Sequence, residues 1–431
     1  MPDMDTIFAL ASARGKSGVA VLRLSGPRAH GVARAMAGPL PPSRQTGLRV
    51  LRNSAGERLD QGLVVAFDKG ASFTGEDVVE FMVHGSLATI TALETCLSED
   101  HGLRLADPGE FTRRALENGV MDLTQVEGLS DLLEAETESQ RKQALRVLDG
   151  AIGKLVSGWR GHLVKAAALV EVSIDFVEED VGNFDAQIIA ELDLVLRDLR
   201  SEIAGQGARE RIQSGFEIAL VGSVNAGKST LLNALAGREA AITSDIAGTT
   251  RDVIELRMDI GGFAVTLLDT AGLRESDDKV EVIGIARGQK RAEDADIRII
   301  LCDLEDITPP IAPRPGDIVV QGKGDLRPDV TGAVSGVTGQ GLDGLLKDIQ
   351  SELSKRVVND GVTVRRRHRA AMVAAESALS VAIENLRSEA YISELVAADI
   401  RQAMTALDSL IGKVDVEDLL GDIFASFCIG K

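Results

Sequence analysis

The run Gly222–Ser229 reads GSVNAGKS, two glycines with four residues between them, followed directly by Lys and Ser. That spacing suits a loop wrapped around a phosphate, because the glycines let the backbone curl until several N–H groups face one anion. An apolar stretch precedes it and a stretch with helical spacing follows, so a helix start adds its partial positive charge at the same place. Lys228 is positioned to reach the β- and γ-phosphates and Ser229 to ligate Mg²⁺, with Asn225, Ala226, Gly227 and Thr230 completing the cradle. Farther on, LLDTAG closes another apolar run. Asp269 would hold Mg²⁺ through water, and Thr270, Ala271 and Gly272 would meet the nucleotide, the last sensing the γ-phosphate through its N–H. Between the two lies SDIAGTTRD. From it Ser244, Asp245, Ile246, Ala247, Gly248, Thr249 and Thr250 are expected to touch the nucleotide, Thr250 by completing the Mg²⁺ shell. Three phosphate motifs in this order indicate a P-loop NTPase of the GTPase type.

The base-reading motif is incomplete. VVQGKGD keeps Lys323 and Asp325 of an N-K-x-D pattern, but Gly322 stands where Asn is usual. Asp325 can accept from guanine N1–H and N2–H₂ and disfavours adenine, while the missing side chain removes polar contacts worth roughly 1–3 kcal/mol. The later AVSGVTGQG offers backbone N–H groups at Ser335, Gly336 and Val337. After DTAG comes Leu273, where Ras-type GTPases place the Gln that orients the attacking water, so hydrolysis must be helped otherwise. Glu275, Asp277, Asp278 and Glu281 follow; by sequence alone each reads as a solvated acid on a loop.

Holding these residues in place takes several elements. A chain of 431 residues is long enough for two or three domains. Residues 1–118 read as a mixed α+β domain, with GVAVLRLSG, GLVVAFDKG and EDVVEFMVHG as strands and SLATITALETCLSED as a helix. Residues 119–213 read as helical, with Leu129, Leu132 and Leu133, then Ala144, Leu145 and Leu148, recurring at three- and four-residue steps. Helical spacing returns in residues 355–431, so residues 214–354 interrupt a helical domain. Strands alternating with helices in that insertion predict a doubly wound parallel sheet, making the whole chain multidomain α/β. A net charge of −19 argues against a chain built mainly to coat nucleic acid, and 3% aromatic residues argue against a base-stacking platform. Cys96, Cys302 and Cys428 lie far apart, which is no disulfide framework and fits a reducing compartment. Without a signal-peptide pattern or an apolar run of ~18 residues, the expectation is a cytoplasmic protein with no membrane contact.

GSVNAGKSTLLNALAGREAAITSDIAGTTRD and LLDTAGLRESDDKVEVIGI, with the N-terminal blocks FTGEDVVEF, DPGEFTRRALENG and DLTQVEGLSDLL and the terminal FCIGK, resemble the bacterial tRNA modification GTPases of the MnmE, or TrmE, family. The resemblance covers essentially the whole chain. It implies an N-terminal domain that binds a formylated or methylene tetrahydrofolate and forms a homodimer, a discontinuous helical domain, and an inserted Ras-like GTPase domain. It implies GTP hydrolysis stimulated by K⁺, with Asn225, Ser244, Ile246 and Thr249 as K⁺ ligands and Glu281 as the acid that positions water. Arg251 is a further catalytic candidate. The family acts with an FAD-containing, MnmG-like partner, in a heterotetramer, and installs an aminomethyl-type group at C5 of the tRNA wobble uridine, position 34, with a folate-derived carbon. Arg23 and Glu80 match its folate contacts, Lys431 is a third candidate, and Val120 stands where the family usually has Lys.

The tail SFCIGK places Cys428 fourth from the end, as in a prenylation box, yet Gly430 and Lys431 suit that box poorly and no polybasic run precedes it. The family reading makes Cys428 catalytic in tRNA modification; the plain alternative is a small buried apolar residue. RRRHR, residues 365–369, is either a contact for tRNA phosphate or a salt-bridged helix start. The competing function is a potassium-dependent ribosome-assembly GTPase switch, which an RNA-binding G-x-x-G module after the GTPase segment would favour; amphipathic helices stand there instead.

Overall fold

The computed structural model describes residues 5–175, 184–223, 225–238, 241, 255–269, 290–302, 309, 311–326, 330, 332–357, 361–388, 392–413, 427 and 430. The chain divides into two compact units, one of Met1–Ser130, Leu148–Arg160 and Met404–Lys431, the other of Asp131–Val147 and Gly161–Ala403.

The first unit is built on a six-stranded sheet: β1 (Ile7–Leu10), β2 (Ser17–Ser25), β3 (Thr46–Arg52), β4 (Arg58–Phe67), β5 (Val78–Gly85) and β6 (Arg104–Leu105), in the order β3-β4-β5-β2-β1-β6. All described pairings are antiparallel except β1 with β6. Helices α1 (Ala29–Ala37) and α2 (Leu87–Thr95) supply Val32, Ala33, Met36, Ile90 and Leu93 to one core with Leu22, Leu24, Val64, Val79 and Phe81 of the strands. This is the α+β segment that the alternating runs predict. Helix α3 (Glu110–Glu117) carries a buried cation. The Arg114 guanidinium donates to the Asp5 carbonyl at 2.8 Å and pairs with Asp5, Glu110 and Glu76 at 2.7, 2.9 and 3.2 Å. Glu76 in turn accepts from Ser25 Oγ at 2.6 Å.

Helix α4 (Leu123–Glu134) forms, followed by α5 (Glu138–Leu148) and α6 (Ala151–Asp175), but Leu132 and Leu133 of the leucine stripe that marks α4 in the sequence are not on its buried face. Leu133 is 46% exposed, whereas Leu123, Thr124, Val126, Glu127 and Ser130 are buried. The reason is local packing: Leu123 and Val126 close a small core with Phe427, flanked by Leu116, Met121 and Leu129.

In the second unit, α7 (Asp185–Ser214) lies against the helix Arg366–Leu386, so helices from the two sides of the insertion pack together. The insertion itself holds a five-stranded sheet of β7 (Phe216–Gly222), β8 (Glu255–Ile260), β9 (Phe263–Asp269), β10 (Ile297–Cys302) and β11 (Ile318–Gln321), ordered β11-β10-β7-β9-β8. It is parallel, as expected, except for β8, which runs antiparallel to β9 across the Gly261–Gly262 turn. A two-residue turn can only return the chain antiparallel, since a parallel return needs a crossover. Strand β7 lies between β9 and β10, where the winding reverses, and ligands of such sheets bind outside the carboxyl end of that central strand. Among the described residues, no helix is long and apolar enough to cross a membrane.

The Arg114 network generates a pH-dependent prediction. Hydrogen bonding from Arg104 leads in holding Asp5 below its ordinary pKa. Burial pushes Glu110 up, but Arg104, the Asp107 N–H and Arg114 together bring it below its ordinary value. Both depressed carboxylates contribute stability that is full above their unfolded pKa values, about 4, and is lost as pH falls through the folded ones. Arg114→Met is expected to cost about 3–5 kcal/mol by stranding buried carboxylates. Hydrogen exchange of β1, β5 and α3 amides should show the loss at pH 7 and a shallower acid dependence than wild type. Unchanged protection would refute the assignment.

Candidate functional site

The phosphate loop follows directly from the sheet. Strand β7 ends at Gly222, and helix α8 (Lys228–Ala236) begins six residues later. Asn225 (φ +66°) and Gly227 (φ +95°) take left-handed backbone, which glycine adopts freely and Asn more readily than most residues. Lys228, on the first turn of α8, is buried and folds its ammonium back into the loop, donating to the carbonyls of Gly222 and Ser223 at 2.8 and 2.9 Å. Burial pushes its pKa down, against the attraction of Asp269. The parallel register Leu220↔Asp269 sets Asp269 beside this loop, where its Oδ2 accepts from Ser229 Oγ at 2.8 Å. A hydroxyl and a carboxylate oxygen at that separation form the start of a hard-oxygen ligand set that fits Mg²⁺.

Three glycines let backbone meet backbone around the loop. A Cβ on Gly222 would sit 2.7 Å from the Leu301 carbonyl oxygen, one on Gly322 2.6 Å from the Ala226 carbonyl oxygen, and one on Gly336 2.6 Å from the Thr230 carbonyl group. The segments carrying the base motif therefore pack directly on the phosphate loop and on α8. Strand β11 delivers Lys323 and Asp325, the latter on the short 3₁₀ turn Gly324–Leu326. Ser335, buried, donates from Oγ to Asp325 Oδ1 at 2.6 Å and so orients the carboxylate. The expectation that Ser335, Gly336 and Val337 all present free N–H groups is corrected. Ser335 N–H donates to the Gln340 carbonyl at 2.9 Å and Val337 N–H to Ser335 Oγ at 3.2 Å, because the loop closes on itself as a turn.

In the other unit, β2 and β5 place Arg23 directly opposite Glu80 in register. Arg23 Nε donates to Glu80 Oε1 at 2.8 Å, both side chains being 16% exposed. The guanidinium lies 5.2 Å from the Phe73 ring centre and 5.6 Å from that of Phe111, and Nη1 reaches the Gly430 carbonyl at 3.5 Å. Gly430 has φ +104°, and a Cβ there would meet the Leu10 carbonyl oxygen at 2.2 Å, so Gly430 is pressed against the end of β1. Neither Phe73, Phe111 nor Gly430 was marked by any local pattern, since each is joined to Arg23 only by the fold. The cradle offers a cation, a carboxylate and two aromatic rings, which fits a ligand having a carboxylate tail and a flat hydrogen-bonding ring.

The basic run is largely structural. Arg365 pairs with Asp131 at 2.6 Å, Arg366 with Glu210 at 3.2 Å, and His368 is buried, its Nδ1 accepting from the N–H groups of Val364 and Arg365 at 3.3 Å each. Ser244, Asp245, Ile246, Ala247, Gly248, Thr249, Thr250, Arg251, Thr270, Ala271, Gly272, Glu281, Cys428 and Lys431 lie outside the described residues. The packing at Gly222 yields a test. Gly222→Ala forces a Cβ against backbone and should cost about 1–3 kcal/mol of overpacking, lowering GTP affinity by roughly one to two decades in a titration with a fluorescent GTP analogue. An unchanged Kd would show that the loop has room to move away.

Comparison with known proteins agrees with the geometry. The model of the MnmE helical domain matches residues 123–428, and that of the GTP-binding protein TrmE N-terminus matches residues 6–120. The tRNA modification GTPase MnmE of Ruegeria pomeroyi is 56% identical over 99% of this chain and 100% of its own length, and that of Dinoroseobacter shibae 55% identical with the same coverage. Among solved structures, the G domain of the T. maritima FeoB iron transporter is 25% identical over 32% of this chain and 98% of its own, at a TM-score of 0.23, too low to carry an argument. With the helical-domain model alone spanning well over half the chain, and relatives aligned end to end above half identity, the chain belongs to the MnmE family of tRNA modification GTPases.

Proposed function

We propose that this chain, a GTP-binding GTPase acting in tRNA modification, serves the C5 modification of the wobble uridine, position 34, adding an aminomethyl-type group whose carbon comes from a formylated or methylene tetrahydrofolate. The observation that carries this reading is the Arg23–Glu80 pair, bracketed by Phe73 and Phe111 and touched by the tail carbonyl of Gly430. It brings the candidate folate cradle and Gly430, a near neighbour of Cys428 and Lys431 in sequence, to one place, which supports the reading. In this reading Arg23 pairs the ligand's carboxylate and Glu80 takes a pair of ring N–H groups, with Lys431 adding a second cation.

The nucleotide assignments complete this reading. Lys228 and the loop residues hold the phosphates, Ser229 and Thr250 hold Mg²⁺, and Asp325 reads the guanine. Asn225, Ser244, Ile246 and Thr249 would hold K⁺, which supplies positive charge where negative charge develops during hydrolysis. Glu281 positions the water and Arg251 assists. We further propose four segments, 1–118, 119–213, 214–354 and 355–431, with dimerisation through the first, an FAD-containing MnmG-like partner in a heterotetramer, tRNA as substrate, and a cytoplasmic location.

Two measurements test this. Glu80→Gln and Arg23→Ala should each lower affinity for a reduced folate by about tenfold or more in calorimetric titration, the loss of one charge-assisted pair, while GTP affinity stays within twofold. Equal folate binding by wild type and both variants would remove the folate assignment. In the source organism, deletion should abolish the C5-modified wobble uridine seen by mass spectrometry of digested tRNA. Wild type should restore it and Cys428→Ser should not. Restoration by both would reduce Cys428 to packing, and an unchanged nucleoside in the deletion strain would reject the wobble-uridine assignment in favour of another GTPase role.

A further inference from the structure

We infer that this chain reads the guanine base through its Watson–Crick edge and O6, with no partner for N7 among the described residues. The inference rests on the assignment of Asp325 and Gly336 to the base site. Guanine carries N1–H and N2–H₂ as donors and O6 and N7 as acceptors. A protein that reads all of them needs an acceptor for the first two and a donor for each of the last two.

The acceptor is Asp325, held by the Ser335 hydroxyl through one oxygen. Donors in the neighbouring turn are few. The N–H groups of Ser335, Val337 and Thr338 are engaged, the first by the Gln340 carbonyl and the other two by Ser335 Oγ. Gly336 N–H has no protein acceptor among the described residues, so this turn has one N–H to give, and the carbonyl-like O6, adjacent to N1 on the ring, is the acceptor that completes the edge already read by Asp325. The remaining acceptor, N7, would require a donor from position 322, where the motif ordinarily has a carboxamide. Gly322 has no side chain, and its own N–H donates to the Cys302 carbonyl at 3.1 Å. The space beside it is filled by the Ala226 carbonyl, 2.6 Å from where a Cβ would lie. That group accepts and cannot donate, so it cannot serve an acceptor on the ligand.

Gly322 is therefore a specificity-determining position. It closes the base motif onto the phosphate loop and drops one contact from base recognition. The test uses the full chain and four nucleotides: GTP, 7-deaza-GTP, in which C–H replaces N7, ITP, which lacks the N2 amino group, and XTP, which carries an oxygen there. By equilibrium competition at saturating Mg²⁺, 7-deaza-GTP should bind within about twofold of GTP, and ITP about tenfold or more weaker, as expected for loss of a charge-assisted hydrogen bond. Asp325→Asn should shift preference from GTP to XTP. A loss of fivefold or more with 7-deaza-GTP, while ITP and the variant behave as stated, would overturn the inference and show that another donor reads N7. If Asp325→Asn leaves the ratio of GTP to XTP affinity unchanged, the base-site assignment fails and the inference with it.

Discussion

Close contact between backbone segments, possible only where side chains are absent, is the constraint on which the nucleotide site depends. Three strand ends converge on one loop: β7 runs into it, β10 presents the Leu301 carbonyl to Gly222, and β11 leads to Gly322 against the Ala226 carbonyl. Any Cβ at those glycines would hold the strands' ends apart and dilate the loop. The parallel register then brings Asp269 to Ser229, and the turn after β11 brings Asp325 to Ser335. Each polar group is aimed by a neighbour that it touches, so the chemistry is set by packing before any ligand arrives, which is what pre-organisation requires.

The N-terminal unit solves a different problem. It carries ionic groups inside a protein-like dielectric, where an unpaired charge is costly and a paired one roughly breaks even. Arg114, itself buried, is satisfied by three carboxylates and a carbonyl, a structural arrangement in which Asp5 alone is half exposed. Arg23 has one carboxylate, one long contact to a carbonyl, and two aromatic rings over which it lies. The two arginines thus divide by how completely the fold satisfies them. The first holds α3 to β1, and the second keeps donor capacity for a ligand.

Much of the nucleotide site was legible in the sequence because phosphate recognition is local: loop curvature, helix start, Lys and hydroxyl all fall within Gly222–Ser229. The insertion into a helical domain was legible from periodicity that stops and resumes. The antiparallel direction of β8 follows from the Gly261–Gly262 turn, too short for a crossover. The buried face of α4 followed Phe427, some three hundred residues away, rather than Leu132 and Leu133. Ser335 on Asp325, and Phe73, Phe111 and Gly430 around Arg23, are likewise long-range meetings. Spacing along a chain cannot report them, because no local propensity or period distinguishes these residues from their neighbours.

The split helical segment bears on how the protein is made. Arg209 of α7 donates to the Thr363 carbonyl at 2.7 Å, and Gln206 to the Arg365 carbonyl at 2.5 Å, so the helix entering the insertion is completed by the strand of chain leaving it. On a ribosome, α7 emerges about 150 residues before its partner helix, a wait of roughly 8–30 s at 5–20 residues per second. For that interval Val195, Leu196 and Leu199, buried in the finished protein, lack the helix Arg366–Leu386 against which α7 packs. The sheet-bearing insertion can meanwhile fold on its own strands. Nascent chains should therefore carry an unpaired apolar helix beside an already folded GTPase unit, a natural client for chaperones that hold apolar surface until synthesis ends.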